Sequence, residues 1–414
     1  MKYNKEQLAL INNKNPKVLV AANCGTGKTA SLIGAVVQYR KEHLEERIDV
    51  ITFTRAATSE LRDKLALQHI YDVNISTIHV WSREHLKRLG DLYHFTVKIL
   101  QEAEIKEILK GLIAKNTTKV KLEILYNVIM GNRKVEVSDN YMRAIDSLCR
   151  KYVKYKRAND LYDFTDYPLY LYNKLKQYGE KIYSTDALFV DELQDIDEEQ
   201  YVLFELVEAN KKFYIGDSKQ AIYGFRGSCA DIFEKFKDFD KETLINNYRS
   251  FQEIINYAST MYKYMENHLG SNNLIVSTVD YAEESDIVCM RGDGANVYVT
   301  NLFDITKDII NNVEVNTFKT ATAFLKTKPM ILCRTNKEVA AIQDLGWSDV
   351  STIHQAKGLE YQNVILLDMG IKDKEDINIA YVGATRAEDN LMVIGFQQLF
   401  PIISKYQRDN LIIY

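Results

Sequence analysis

The sequence predicts an α/β protein of two lobes, each an open sheet of buried parallel strands packed with helices, with a mainly helical insertion in the first lobe. Three observations predict it. Short apolar, β-branched runs recur along the chain, chemically distinctive residues sit at their carboxyl ends, and between about residues 85 and 185 the pattern changes to helical spacing.

The first lobe is expected over residues 1–84 and 186–240. Its strands are the runs KVLVAA (17–22), DVITFT (49–54), ALFV (187–190) and KFYI (212–215), followed respectively by NCGTGKT, RAATSE, DELQD and GDSKQ. Runs of this length between helical patterns read as buried parallel strands, and in such sheets ligands collect at the strands' carboxyl ends. The insertion is expected over 85–185, where Ile99, Leu100, Ala103, Ile105, Ile108, Leu109 and Leu112 recur at helical spacing. A second lobe is expected over 241–414 from the runs LINN (244–247), NVYVTN (296–301), PMILCRT (329–335), NVILLDM (363–369) and LMVIGF (391–396). No Gly/Ser-rich or Pro-rich linker, low-complexity tract or fixed-period repeat interrupts this order.

The 414 residues are 46% hydrophobic and 27% charged, an ordinary globular balance with chain enough for two or three packed domains. No apolar run approaches the roughly 18–20 residues of a membrane span, and the N-terminus lacks an export signal. A cytoplasmic protein without a membrane partner is expected. Cys24, Cys149, Cys229, Cys289 and Cys333 are odd in number and far apart, which suggests neither a disulfide framework nor a zinc site. A net charge of −4 argues against a protein that coats nucleic acid through a generally basic surface, so any such contact must be local. The run CRKYVKYKR, with Arg150, Lys151, Lys154, Lys156 and Arg157, reads first as the solvated face of a helix.

The strongest local signal is Ala22-Asn23-Cys24-Gly25-Thr26-Gly27-Lys28-Thr29, which follows a strand and opens a helix. Glycines let backbone N–H groups curl around phosphate, Lys28 reaches the outer phosphates, and the Thr29 hydroxyl suits Mg²⁺. The strict phosphate-loop pattern has Gly where Ala22 stands, and Asn23 is among the residues that tolerate left-handed backbone angles. The second signal is Asp191-Glu192-Leu193-Gln194-Asp195 at the end of an apolar run. Nucleotide hydrolysis needs one acid on the metal and another group to orient or deprotonate water; Asp191 suits the first role and Glu192 the second.

Further motifs follow in a fixed order from residue 4 to about 396, and with them the chain resembles the UvrD/Rep group of superfamily 1 helicases. Asn4 and Gln7 resemble the group's adenine-recognition motif. Residues 51–61, ITFTRAATSEL, resemble motif Ia with Arg55 where Asn is more usual, and 216–227, GDSKQAIYGFRG, resemble motif III. Asn247-Tyr248-Arg249-Ser250 resembles motif IV, residues 352–360, TIHQAKGLE, motif V, and Tyr381-Val382-Gly383-Ala384-Thr385-Arg386-Ala387 motif VI.

The resemblance implies two RecA-like lobes with ATP and Mg²⁺ in the cleft. Arg249 and Arg386 are then bidentate donors to the γ-phosphate from the second lobe, Gln220 its sensor, Tyr248 an adenine stack and Glu360 a ribose contact. Tyr223, Phe225 and Arg226 are implied strand contacts, with Phe225 where the group often has Trp. Phe53, Thr54, Arg55, Thr77, His79, Thr352 and His354 join them, and Asp163-Phe164-Thr165-Asp166 resembles a DNA-lining motif of the insertion.

The implied activity is an ATP-driven translocase on single-stranded DNA and a 3′ to 5′ helicase acting on tailed or forked duplex. Two alternatives remain: a translocase subunit of a nuclease or defence complex without unwinding of its own, and a nucleic-acid-binding subunit with a decayed ATPase. The intact Lys28, Thr29, Asp191, Glu192, Gln220, Arg249 and Arg386 argue against the last. RNA as the track is not excluded, and the pathway stays open among repair, phage or plasmid replication and anti-phage defence. Members of the group insert a large accessory subdomain between the helix after a strand like PMILCRTN and the strand leading to motif V. Here only Gly346-Trp347-Ser348-Asp349 separate that helix from Val350, so no such subdomain is expected there. Residues 387–414 leave no room for a fused nuclease, so any nuclease activity is expected to come from another chain.

Overall fold

A computed structural model describes residues 3–116, 119–130, 139–223, 232–268, 288–289, 296–300, 328–344, 346–367, 373–394 and 411–413. The first sheet contains β1 (Lys17–Ala22), β2 (Ile48–Thr52), β3 (Asn74–Thr77), β4 (Ala187–Val190), β5 (Lys211–Gly216) and β6 (Asp240–Leu244), in the order β3-β2-β4-β5-β1-β6. After a short pair formed by β7 (Asn246–Asn247) and β8 (Val288–Cys289), a second sheet contains β9 (Asn296–Thr300), β10 (Met330–Cys333), β11 (Val350–Thr352), β12 (Tyr361–Leu367), β13 (Ala387–Ile394) and β14 (Leu411–Ile413). Its order is β11-β10-β12-β13-β9-β14. Counted from the first strand of each lobe, both sheets read 3-2-4-5-1-6, and every pair within them is parallel. The chain thus builds one topology twice, as two RecA-like lobes. Because β6 pairs with β1, the first sheet runs on to Leu244, past the expected boundary at residue 240.

The helices are α1 (Lys5–Ile11), α2 (Lys28–Glu42), α3 (Arg55–Ala66), α4 (Ile78–Tyr93), α5 (Glu102–Ala114), α6 (Leu122–Ile129) and α7 (Asp139–Ala158). They continue with α8 (Tyr167–Tyr178), α9 (Glu198–Glu205), α10 (Ile232–Lys235), α11 (Gln252–His268), α12 (Asn336–Asp344), α13 (Ile353–Ala356) and α14 (Lys374–Ala384). Successive side chains of a strand point to opposite faces, and the first sheet buries both. Val18, Val20, Phe189, Phe213 and Ile215 pack on one side with Leu32, Ile33 and Leu61 of α2 and α3. Leu19, Leu188, Val190 and Tyr214 pack on the other with Trp81 and Leu86 of α4 and Leu171 of α8.

Between β3 and β4 the described elements are helices and one 3₁₀ turn, but they do not share one core. α4 and α8 belong to the core under the first sheet. α5, α6 and α7 build a separate core from Ile105, Leu109, Leu125, Val128, Ile145, Leu148 and Tyr152. A cut at residue 85 therefore falls inside α4, whose Trp81 and Leu86 pack together. In the second lobe α12 is joined to β11 by residues 345–349, where Trp347 N–H donates to Ile342 O at 3.4 Å and Asp349 O accepts from Ile331 N at 2.8 Å. Among the described residues no helix is long and apolar enough to cross a membrane.

Candidate functional site

The carboxyl end of β1 opens into the phosphate-loop sequence, and α2 starts at Lys28 with Gly27 as its N-cap in left-handed geometry, φ 80°. Gly25 is also left-handed, φ 65°, whereas Asn23 is not among the positive-φ residues. The left-handed tolerance expected of Asn23 is thus not what the loop uses. At Gly25 a Cβ would lie 2.4 Å from Asn247 Nδ2 and 2.8 Å from Arg249 Cβ, so only hydrogen allows the second lobe this close. Ala22 is buried at the end of the strand, Asn23 N–H donates to Leu244 O at 3.1 Å, and Thr26 Oγ1 donates to Asn23 O at 2.8 Å. Gln7 accepts from Asn4 N at 3.1 Å and donates to Thr26 O at 3.1 Å, so both ends of its amide hold the loop in this state.

Cys24 is buried between the lobes. Its Sγ accepts from Tyr381 Oη at 3.2 Å, and burial pushes the thiol upward. It acts as a packed apolar contact, not as a nucleophile.

Asp191 and Glu192 follow β4. Burial and the neighbouring Glu192 carboxylate push Asp191 up to about 7, against the pull of Lys28. Burial works on Glu192 in the same direction, but Lys28 and Lys357 outweigh it and hold this carboxyl below its usual value. Glu192 sits in the left-handed region, φ 53°, an uncommon backbone for a side chain of this size. Gln194 Nε2 donates to Glu192, and Gln194 Oε1 accepts from Asp217 N at 2.9 Å. Asp217 Oδ2 in turn accepts from Gln220 Nε2 at 2.6 Å and lies 3.9 Å from Lys28 Nζ. The expected sensor is therefore oriented by an acid that also faces the phosphate-loop lysine.

The second lobe completes the cleft. Tyr248 N–H donates to Gly25 O at 2.9 Å, and Asn247 Nδ2 donates to Cys24 O at 2.7 Å. Arg249 Nε donates to Glu360 Oε1 at 2.6 Å. Tyr248 is 42% exposed, a free-standing ring beside the cleft, with its hydroxyl accepting from Asn4 Nδ2. Arg386 is 1% exposed, and its described partners are the neutral oxygens of Val382 at 3.0 Å, Leu359 at 3.1 Å and Thr385 at 3.4 Å. Burial, reinforced by Arg249, lowers its pKa to about 10, a guanidinium still charged at neutral pH. One cavity of about 460 Å³ is lined by Gly25–Thr29, Asp191, Glu192, Gln220, Tyr248, Arg249, Glu360 and Arg386. The donor set fits a divalent cation: a hydroxyl at Thr29 and the buried Asp191 carboxyl, whose upward shift a cation beside it would reverse.

A second group of residues continues from the wall of the cleft itself, since Phe53, Tyr223 and Lys357 also line that cavity. The rings of Phe53 and Tyr223 stack with centroids 5.1 Å apart, Tyr223 lies 6.1 Å from His354, and Lys357 Nζ sits 4.8 Å over Tyr223. His79 stacks on Phe164 at 5.5 Å, at the edge of a cavity of about 930 Å³ that also takes in Phe53. Burial lowers the pKa of His79, against the backbone of Thr165 and the charge of Asp163, which favours a neutral ring for stacking. Thr54 caps α3 by accepting from Ala57 N at 3.1 Å, and Arg55 beside it is exposed. Thr77 is the N-cap of α4 without a side-chain bond, while Thr352 caps α13 by accepting from Gln355 N at 3.3 Å. Phe225 and Arg226 lie outside the described residues.

Asp163 departs from expectation. It is 0% exposed and accepts from Lys156 Nζ at 2.7 Å, Tyr152 Oη at 2.9 Å and Thr165 N at 2.8 Å. A side chain so enclosed cannot touch a strand; it fixes the turn that presents Phe164. Lys156 is likewise turned inward, while Arg150, Lys151, Lys154 and Arg157 of the same run are exposed. Sequence reasoning missed Asp195, Asn247, Asn378 and Lys357 as individual actors. Their partners lie in the opposite lobe, and the only local signal was that three of them stand within or beside the quoted motifs.

Residues 3–241 match the family model described as the UvrD/REP helicase N-terminal domain, and residues 348–394 match the UvrD-like helicase C-terminal domain. A "Probable DNA helicase" of Mycoplasma pneumoniae is 24% identical over 95% of this chain and 83% of its own length. The "ATP-dependent DNA helicase Rep" of Buchnera aphidicola is 26% identical over 71% of this chain and 47% of its own, and the "Probable DNA helicase II homolog" of Rickettsia conorii is 28% identical over 64% and 45%. The chain thus spans less than half the length of these last two relatives.

Proposed function

We propose a function from one premise: the chain belongs to the UvrD/REP helicase family. It hydrolyses ATP to move along single-stranded DNA in the 3′ to 5′ direction, and it separates the strands of a tailed duplex. The observation that carries this reading is Arg386, a buried cation that lines the cleft opposite the phosphate loop, hydrogen-bonded among the described residues only to neutral oxygens, with the carboxylates of Glu192 and Glu360 acting on it through space without a hydrogen bond. Such a group demands an anion, and a terminal phosphate held by Lys28 supplies it only when the lobes are closed.

In this reading the backbone of Gly25–Thr29 and the Lys28 ammonium bind the phosphates, and Thr29 and Asp191 hold Mg²⁺, which when bound neutralises charge on the phosphate oxygens. Glu192, kept ionised by Lys28 and Lys357, orients the attacking water and takes its proton. Gln220 reports the terminal phosphate, Arg249 and Arg386 neutralise the charge that develops on it, Tyr248 stacks on the base, and Gln7 and Glu360 close the site. The strand runs past Phe53, Tyr223 and His354 on one side and His79 and Phe164 on the other. These rings supply stacking faces that accept any base.

The test is an ATPase measured with and without oligonucleotide, followed by single-turnover unwinding of duplexes with a 3′ or a 5′ tail. Stimulation by single-stranded DNA and a preference for the 3′ tail are expected. An ATPase indifferent to any oligonucleotide overturns the motor, and a 5′ preference overturns the polarity.

A further inference from the structure

The cavity of about 930 Å³ between the first lobe and the insertion has a wall of the wrong sign for a phosphate backbone. Asp195, Asp197 and Glu199 line it where the chain enters α9, and Asp160 and Asp166 line it from the insertion. The cations among its lining residues are Lys156 and Arg157, and both are already engaged. Lys156 Nζ lies 2.7 Å from Asp163 and also pairs with Asp166, while Arg157 Nη2 lies 3.7 Å from Glu199. Asp197 has no cation among its described partners; one of its oxygens caps α9 by accepting from Gln200 N at 2.8 Å. Burial pushes the Asp197 carboxyl upward, and burial with the charge of Asp197 does the same to Glu199. Phosphates laid along this wall would add like charge to like.

The same cavity holds an amide with nothing to bond. Gln200, in the first turn of α9, is 7% exposed, and its side chain has no hydrogen-bond partner among the described residues. A buried amide costs free energy until a ligand brings it a donor and an acceptor together. The cavity is also lined by the stacked rings of His79 and Phe164, of which Phe164 is 40% exposed. One chemical group answers the amide, the carboxylates and the rings at once: an unstacked base that carries an exocyclic amine. A glutamine amide pairs with adenine through N6 and N7, and a carboxylate accepts from the N4 amine of cytosine. Thymine turns a carbonyl oxygen to the same place, where the carboxylates repel it.

We propose that this groove reads bases: Gln200 and Glu199 contact the base edges of the bound strand, its phosphates face away, and adenine and cytosine are preferred over thymine. The proposal rests on the reading of the chain as a single-stranded-DNA motor and gives that motor a sequence preference. Gln200 is the residue to test, since Asp197 caps a helix and Lys156 and Asp163 anchor the turn that carries Phe164, whereas the Gln200 amide holds nothing in place.

The experiment uses the full chain with Gln200→Met, which keeps the length and removes both halves of the amide. Gln200→Ala serves should the methionine variant fail to fold, and Glu199→Gln replaces the carboxylate by an amide. Fluorescence anisotropy reads the affinity for three labelled strands: oligo-dT, oligo-dC, and a dT tract with isolated dA. The parent is expected to bind the second and third about tenfold more tightly than the first, the discrimination of one good base contact. Gln200→Met is expected to lose most of the preference for the dA-bearing tract, and Glu199→Gln most of that for oligo-dC. The stacking of each tract on itself is the same for every protein, so it cancels when variant ratios are divided by parental ones. Equal affinity of the parent for all three strands overturns the proposal, and so do parental ratios in either Gln200 variant. A Gln200 variant that binds all three more weakly by one common factor also overturns it, because that marks a structural role alone. A parent that binds none of the three overturns the functional reading itself, and is recognised before any variant is compared.

Discussion

Lys357 of the second lobe lies with its ammonium 2.7 Å and 2.6 Å from the two carboxylate oxygens of Asp195 in the first, and both side chains are almost completely buried. Burial pushes Asp195 up to about 6 even with this cation against it. The pair is therefore a costly one to separate, and it spans the cleft that must open for nucleotide exchange. Removing Lys357 leaves a buried carboxylate uncompensated, a loss of about 3 kcal/mol at the low end for such pairs, since an opened cleft lets water reach Asp195. Lys357→Ala is expected to weaken nucleotide binding by that amount, and adding Asp195→Asn to recover part of it in a double-mutant cycle. Calorimetric titration with a non-hydrolysable ATP analogue reads both, and strictly additive effects would show that the contact carries no coupling.

Glu192→Gln keeps the shape of the site and removes the base. Turnover should fall by about 10²- to 10⁴-fold with ATP binding retained. Arg386→Ala should lower turnover by about 10³-fold, since its planar donor acts on charge that develops during transfer. Steady-state phosphate release, read beside the affinity for the same analogue, separates these from Lys28→Ala, which loses binding as well as rate. A Glu192→Gln protein that hydrolyses at the parental rate would mean that the acid is misassigned.

Phe53 and Tyr223 stack on each other, so neither acts alone. Phe53→Ala and Tyr223→Ala should each weaken single-strand binding by about 1–3 kcal/mol, and the double variant should lose less than the sum. Neither ring touches phosphate in this reading, so the log-log salt slope, about −0.7 per phosphate neutralised, should stay at the parental value. Fluorescence anisotropy at several salt concentrations decides. A slope that shifts with either ring would assign it to backbone contact instead.

Four strands of the first sheet were legible because each is a largely apolar run with its distinctive residues at one end: β1, β2, β4 and β5 appear where KVLVAA, DVITFT, ALFV and KFYI were read, whereas the polar β3 (NIST) and β6 (DKETL) were not read, and LINN is split between the end of β6 and β7. The phosphate loop was legible for the same reason: its chemistry is local. The grip between the lobes was not. Lys357 and Asp195 are 162 positions apart, and Asn247 and Cys24 are 223 apart, so no window of sequence contains both partners. The inward turn of Lys156 was half legible, since Asp163 and Asp166 had been noted but as strand contacts and not as its counter-ions.

Asp49, at the start of β2, is 0% exposed and accepts from Trp81 Nε1 at 2.8 Å, Thr185 Oγ1 at 2.5 Å and Asn74 Nδ2 at 3.1 Å. Although burial opposes it, His85, Thr185 and Trp81, with the charge of Arg47, lower the carboxyl to about 2. A depressed carboxyl contributes stability above its unfolded value, and that contribution, about 2–3 kcal/mol, is lost as pH falls from about 4 to 2. His85 is also lowered, chiefly by burial against the pull of Asp49, so the unfolded chain takes up its proton first and stability declines as pH drops below about 6.5. Urea midpoints measured across this range should show two stages. His85→Gln should flatten the upper stage and Asp49→Asn the lower, and a midpoint that stays level from pH 7 to 5 in the parent would exclude the histidine's part.

The basic run of α7 separates into an inner and an outer set. Lys156 is 5% exposed at the side chain and pairs with Asp163, which is 0% exposed, and with Asp166. Lys156→Ala leaves Asp163 enclosed with no cation, and breaking such a pair costs about 3–5 kcal/mol. Urea denaturation should show that loss, and with it the turn that carries Phe164 should loosen. Lys151 and Lys154 are exposed on the same helix, and surface changes of this kind stay within about 0.5 kcal/mol of the parent. If their face meets duplex phosphate, Lys151→Ala and Lys154→Ala should each lower affinity for a 3′-tailed duplex and reduce the salt slope by about 0.9, because each contact releases counterions from the double strand. The two sets are thus expected to respond in opposite assays. A Lys156→Ala chain as stable as its parent would remove the ion pair from the account of this turn, and unchanged salt slopes in the outer pair would place the duplex elsewhere on the molecule.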